Sequence, residues 1–165
     1  EDEFRIIKEA TTDPLTGICN RRSFALMTDE SLRKAKKKKK TFCVLIIDLD
    51  NFKPINDNFG HSEGNEVLCN FADMLEDLSS SKSVVARLGG DEFGVLLPES
   101  TYKEAEEFLH KLRAGITSYN LNSQKKYNID FSAGIIEYDE KIHTECSAIM
   151  QDADERMYEI KKGKR

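Results

Sequence analysis

The chain has 165 residues, 39% hydrophobic and 33% charged, a composition that predicts one globular domain with a sizeable core. Its longest apolar run is far shorter than a bilayer span and no secretory leader opens it. The expectation is a soluble, cytoplasmic domain, excised from a longer protein because no initiator Met is present. The net charge of −5 argues against a nucleic-acid polymer as partner but leaves a nucleotide open, and Cys19, Cys43, Cys69 and Cys146 lack metal-site spacing and read as reduced thiols.

Phe4, Ile7 and Ala10 lie at helical spacing and suggest a helix entering from something upstream, which Thr12-Asp13-Pro14 ends. After the turn residues Leu15-Thr16-Gly17, Asn20 is placed to cap a helix through Arg21-Arg22-Ser23-Phe24 towards Lys34. The basic run from Arg33 to Lys40 reads as a solvated helix end, favoured by the helix dipole, with anionic lipid or nucleic acid as the less favoured alternative. Phe42-Cys43-Val44-Leu45-Ile46-Ile47 is too continuously apolar to have a wet face. It predicts a central strand buried on both sides that delivers Asp48 and Asp50 at its C-terminal end.

Pro54 fits the first turn of a following helix, whose N-terminal N–H groups, with Lys53, suit phosphate. The segment from Asn56 to Asn65 reads as a polar, glycine-punctuated connection to a second helix striped by Val67, Leu68, Phe71, Leu75 and Leu78. Val84-Val85-Ala86 and Phe93-Gly94-Val95-Leu96-Leu97 predict two short strands, and the Gly89-Gly90 step between them signals a tight hairpin with Asp91 and Glu92 at its turn. A third long helix follows from Ala105, Phe108, Leu109, Leu112 and Ile116, broken at Asn120-Leu121-Asn122-Ser123. Ile129, Phe131, Ala133 and Ile135 then alternate as a half-buried strand, and Cys146, Ile149, Ala153, Met157 and Ile160 mark a last helix with a basic end.

This order predicts an α+β fold in which helices pack around a mainly antiparallel sheet. Taken alone, the Asp91-Glu92 pair is ordinary solvated turn chemistry. If it meets the Asp48-Asp50 cluster, the mutual repulsion is most simply relieved by a divalent cation. An all-oxygen site beside phosphate favours Mg²⁺, with Mn²⁺ as an alternative.

Five stretches in register carry a resemblance: the segment from Asp13 to Arg22, Asp48-Leu49-Asp50-Asn51-Phe52-Lys53, Asn56-Asp57, Gly60-His61-Ser62-Glu63-Gly64, and Arg87-Leu88-Gly89-Gly90-Asp91-Glu92-Phe93. Over nearly the whole chain they resemble the successive motifs of the GGDEF family of diguanylate cyclases. The resemblance implies a nucleotidyl-cyclase, palm-like fold and condensation of two GTP into cyclic di-GMP with release of pyrophosphate. It further implies a homodimer in which each domain binds one GTP, as the output of a bacterial signalling protein with an upstream sensory or regulatory domain, whether or not the full-length protein is membrane-attached. On this reading residues 1–12 are the incoming linker helix and residues 13–165 the GGDEF domain.

By position, the resemblance implies that Asp48, the Leu49 carbonyl, Asp91 and Glu92 hold the metal, with Asp91 also the base for the 3′-hydroxyl. Lys53 is the counterpart of a transition-state stabiliser, the Phe52 and Lys53 main chain cradles phosphates, and Lys161 with Arg165 grips them from the C-terminus. Asn56, His61 and Asn65 line the guanine pocket. Two departures stand out: Asn65 replaces the usual Asp, which opens cyclic AMP-GMP as an alternative product, and Ser80 and Ser83 replace the Arg and Asp of the product-inhibition motif. A catalytically silent GTP-binding regulatory domain is the remaining alternative.

Overall fold

The computed structural model describes residues 2–164. In chain order they form α1 (Asp2–Thr11), α2 (Arg21–Lys38), β1 (Phe42–Asp50), α3 (Phe52–Phe59), α4 (His61–Leu78), β2 (Val84–Gly89), β3 (Glu92–Pro98), α5 (Tyr102–Asn122), β4 (Asp130–Glu137) and α6 (Cys146–Gly163). The four strands make one sheet in the order β2-β3-β1-β4, with every pairing between them antiparallel. The α+β architecture expected from the pattern is the one observed.

The continuous apolar run of β1 is explained by its place inside the sheet with a helical layer on each face. Cys43, Leu45, Ile47 and Leu49 enter a core with Phe71, Leu75 and Leu112 of α4 and α5. The alternate residues Val44 and Ile46 enter a second core with Phe24 of α2 and Ala153 and Met157 of α6. Burial on both faces thus follows from the period-2 alternation of side chains.

On the α2/α6 face the register sets Gly94 and Gly134 on either side of Ile46. A Cβ at Gly94 would lie 2.8 Å from the Phe24 ring, and one at Gly134 would lie 2.3 Å from the Ala153 carbonyl oxygen. The missing side chains let both helices sit directly on the sheet. The close approach of α6 also explains why β4 is not the half-buried strand expected from its alternation: Ser132, Gly134 and Ile136 are buried beneath the helix.

Three other expectations change in detail. The segment from Asn56 to Asn65 is not a connection, because Asn56-Asp57-Asn58 complete α3, His61 begins α4, and only Gly60 (φ 92°) separates the helices. Of the polar residues read as a linker, Asp57, Asn58, His61, Ser62 and Asn65 are exposed on two abutting helix ends, while Asn56 and Glu63 are partly buried. α5 runs on through Asn122, since Asn120 both donates to and accepts from the Ile129 backbone and so holds the last turn in place. In the hairpin, the two-residue turn is Gly90-Asp91. Leu88 is an extra residue between the Arg87–Phe93 and Gly89–Glu92 pairs, a β-bulge, and Gly90 adopts φ 52°, where a side chain would be strained.

Candidate active site

The site is assembled at the end of β1 by three elements: the β2–β3 turn, the N-terminus of α3 and the last turns of α6. Asp48 stands directly opposite Glu92 in the sheet register, and the Leu49 amide donates to the Asp91 carbonyl at 3.1 Å, which holds the turn against the strand end. Arg87 steadies the turn from behind. Its Nε donates to the Gly90 carbonyl at 2.9 Å, and its Nη1 pairs with Asp13 at 3.2 Å.

Two carboxyl groups then crowd each other. The Asp91 carboxyl is pushed up to about 6, first by burial and then by the hydrogen bonding and charge of neighbouring Asp48, with the Lys161 charge pulling the other way. Asp48 Oδ1 is buried without a hydrogen-bond partner. Its neighbour Asp91 is also an acceptor when ionised, so the pair is satisfied only by a shared proton or a cation. Lys161 supplies part of that positive charge, donating to Asp48 Oδ2 at 2.5 Å and to the Leu49 carbonyl at 3.3 Å. Two carboxylates and a carbonyl oxygen are hard donors of the kind Mg²⁺ takes, and the orphaned Oδ1 is a free ligand position, so the residues fit a divalent cation. Among the described residues no three His, Cys, Asp or Glu side chains converge.

Glu92 and Asp91 line different clefts. Glu92 faces a cleft of about 650 Å³ with Arg21, Asp29 and Asp154, and its carboxyl is raised by burial and then by the charges of Asp154 and Asp48, while Arg21 opposes the shift. Asp91 lines a different cleft of about 570 Å³ with Leu49, Phe52, Lys53, Pro54 and Lys161. α3 opens that cleft at its N-terminus, where Asn51 adopts φ 56° and makes no side-chain cap, so the first N–H groups of the helix are free of one. The Lys53 ammonium extends into solvent and pairs with Asp57 at 2.9 Å, one turn along α3.

Of the residues expected around a base, Asn56 packs onto Gly64, where an added Cβ would lie 1.8 Å from Asn56 Oδ1. Gly64 therefore admits no side chain while Asn56 keeps this position. His61 and Asn65 are exposed, in the first and second turns of α4 respectively. Arg165 lies outside the described residues.

Sequence reasoning missed Lys164 and Ser132. Lys164 donates to Asp50 Oδ2 at 2.8 Å and to the Phe131 carbonyl at 2.6 Å, and the Ser132 hydroxyl donates to Asp50 Oδ1 at 2.8 Å. The spacing of Lys161 and Lys164 on one helix face was a usable signal for the first contact. Nothing in the strand pattern distinguished Ser132.

The diguanylate cyclase, GGDEF domain profile matches residues 10–165, and the chain belongs to that family. It is 32% identical over 159 residues, 96% of its length, to the diguanylate cyclase DgcP of Pseudomonas aeruginosa, covering 23% of that protein. It is 31% identical, over 94% of its length, to a diguanylate cyclase of Vibrio cholerae, covering 48% of it. Among solved structures, the coiled coil and GGDEF domain of DgcB from Caulobacter crescentus in complex with c-di-GMP superposes with a TM-score of 0.91 at 27% identity, covering 99% of this chain and 87% of that one. The chain thus spans less than half the length of these curated relatives. Among the described residues no helix is long and apolar enough to cross a membrane.

Proposed function

We propose that this domain condenses two GTP into cyclic di-GMP with release of two pyrophosphates. The observation that carries the reading is the buried, unpartnered Asp48 Oδ1 beside the Asp91 carboxyl and the Leu49 carbonyl, at the mouth of an uncapped helix N-terminus. Asp48, Asp91 and the Leu49 carbonyl would hold Mg²⁺ or Mn²⁺, and Glu92 contributes to the negative field from the far side of Asp48. The cation, when bound, offsets the charge that builds on the phosphates.

In each half-reaction the 3′-hydroxyl of one GTP attacks the α-phosphorus of the other. A new P–O bond forms, the bond to the β-phosphate oxygen breaks, and the hydroxyl proton passes to a base. Asp91 suits that role, since its raised pKa makes it a better proton acceptor than an ordinary carboxylate. The N–H groups of Phe52 and Lys53, the Lys53 and Lys161 ammonium groups and Arg165 would grip phosphate oxygens. Asn56, His61 and Asn65 would read the base. One domain holds one GTP, so the two nucleotides must be brought together by two copies facing each other across a two-fold axis, under the control of a regulatory segment elsewhere in the protein.

Incubating the domain with GTP and Mg²⁺ and identifying the products by mass tests this reading. Cyclic di-GMP with two pyrophosphates per product is expected, and GTP that binds but stays unreacted would instead define a regulatory nucleotide-binding module.

A further inference from the structure

α3 and α4 meet at the single non-helical residue Gly60, and the angle between them decides where Asn56 and Asn65 stand relative to each other. One side of this junction is set by Asn56 packing on Gly64. The other side is set from a distance. The Tyr127 ring, in the segment between α5 and β4, packs on Phe59, the last residue of α3, with ring centroids 5.0 Å apart. Its hydroxyl donates to Glu63 Oε1 in the first turn of α4 at 2.5 Å. Tyr127 therefore touches both helices across Gly60.

Lys125 completes the arrangement. Its ammonium lies 2.7 Å from the same Glu63 oxygen and 3.7 Å from Glu66 one turn along α4. Glu63 is only 21% exposed and Lys125 30%, so this pair is more shielded than an ordinary surface pair. The hydrogen bonds from Lys125 and then Tyr127 hold the Glu63 carboxyl below its usual range, so it stays ionised and keeps both partners near neutral pH.

We propose that Tyr127, with Glu63 and Lys125, is a positioning clamp for base recognition: it fixes the α3–α4 angle and with it the separation of Asn56 and Asn65. The clamp rests on the nucleotide reading above and adds residues from the α5–β4 segment to its specificity. It acts on the base and not on the triphosphate, since the phosphate cradle lies at the opposite end of α3, at Phe52 and Lys53.

Equilibrium binding of a non-hydrolysable fluorescent GTP analogue, with inorganic tripolyphosphate as the base-free control, tests it in the intact domain. Tyr127→Phe, which keeps the ring and removes only the hydroxyl, and Lys125→Ala are each expected to weaken the GTP analogue by about tenfold while leaving tripolyphosphate affinity unchanged. Equal weakening of both ligands, or of neither, in folded variants overturns the clamp. An unaltered domain that binds the analogue but forms no cyclic di-GMP when incubated with GTP and Mg²⁺ would refute the cyclase reading and leave the clamp standing, whereas an unaltered domain that shows no preference for the analogue over tripolyphosphate would overturn the clamp itself.

Discussion

Asp13 and Arg87, 74 positions apart in the chain, form an ion pair at 3.2 Å that links the loop before α2 to the turn carrying Asp91. The same guanidinium holds the Gly90 carbonyl, so the turn cannot swing without breaking the pair. Burial alone would raise the Asp13 pKa. Hydrogen bonds from the Thr16 hydroxyl and amide, with the Arg87 charge, outweigh it and hold the carboxyl below its ordinary 3.8.

Arg87→Ala should therefore cost about 2–3 kcal/mol, because it strands a carboxylate that is only 13% exposed. Urea unfolding at pH 7 measures this. Since the folded pKa of Asp13 is the lower one, its contribution is present above 3.8 and disappears as pH falls through the still lower folded value. The gap between wild type and Arg87→Ala should narrow in acid, and a constant gap would refute the ionic account.

Asp91 titrates with the opposite sign. Its folded pKa is raised from 3.8 to about 6, so the native state holds this proton more tightly than the unfolded chain, and the associated stability is lost as pH rises across that window. Asp91→Asn removes the penalty. It should be at least as stable as wild type at pH 7, with its relative advantage growing between pH 4 and 6.5, while product formation falls to background. Paired unfolding curves and a GTP turnover assay check both halves, and undiminished turnover would remove Asp91 from its proposed role.

The proposed reading gives Asn65 a part in the choice of base. Guanine offers adjacent N1–H and N2–H₂ donors, which a carboxylate accepts with both oxygens, whereas an amide turns one donor towards a donor. Asn65→Asp should raise the preference for GTP over ATP by about tenfold or more, the scale of one repaired bidentate contact. Competition between the two nucleotides, with the incorporated bases counted, decides it; an unchanged ratio means that position 65 does not read the base.

Gly134→Ala tests the packing of α6. The added methyl would meet the Ala153 carbonyl oxygen at 2.3 Å and the Met157 amide nitrogen at 2.4 Å, both backbone atoms that cannot rotate away. The helix must move outward, at about 1–3 kcal/mol. Because Lys161 and Lys164 ride on the same helix, the contacts to Asp48 and Asp50 should loosen too. Thermal unfolding and GTP affinity are expected to fall together, and retention of both would show that β4 absorbs the strain.

Most of the elements were legible because their signals are local. The apolar run from Phe42 to Ile47 predicted a central strand, and the side chain of Asn20 accepts from the Ser23 amide as its capping position implied. The bulge at Leu88, the burial of Ser132 and the abutment of α3 on α4 were not legible. Each depends on what lies across the sheet or across a single glycine, and a pattern read along one strand or helix has no access to that. The partner of Lys164, Asp50 at a distance of 114 positions, was hidden in the same way, although the shared helix face of Lys161 and Lys164 was legible.

The one-to-one register of β1 with β3 carries a further consequence. Side chains alternate in facing along β1, so a slip of one residue would carry Asp48 into the space beneath α4 and α5 and bring Leu49 out towards Lys161. The apolar cores therefore proofread the position of the carboxylates. An insertion or deletion within β1 would be felt first as a misfolded chain and only then as a loss at the carboxylates.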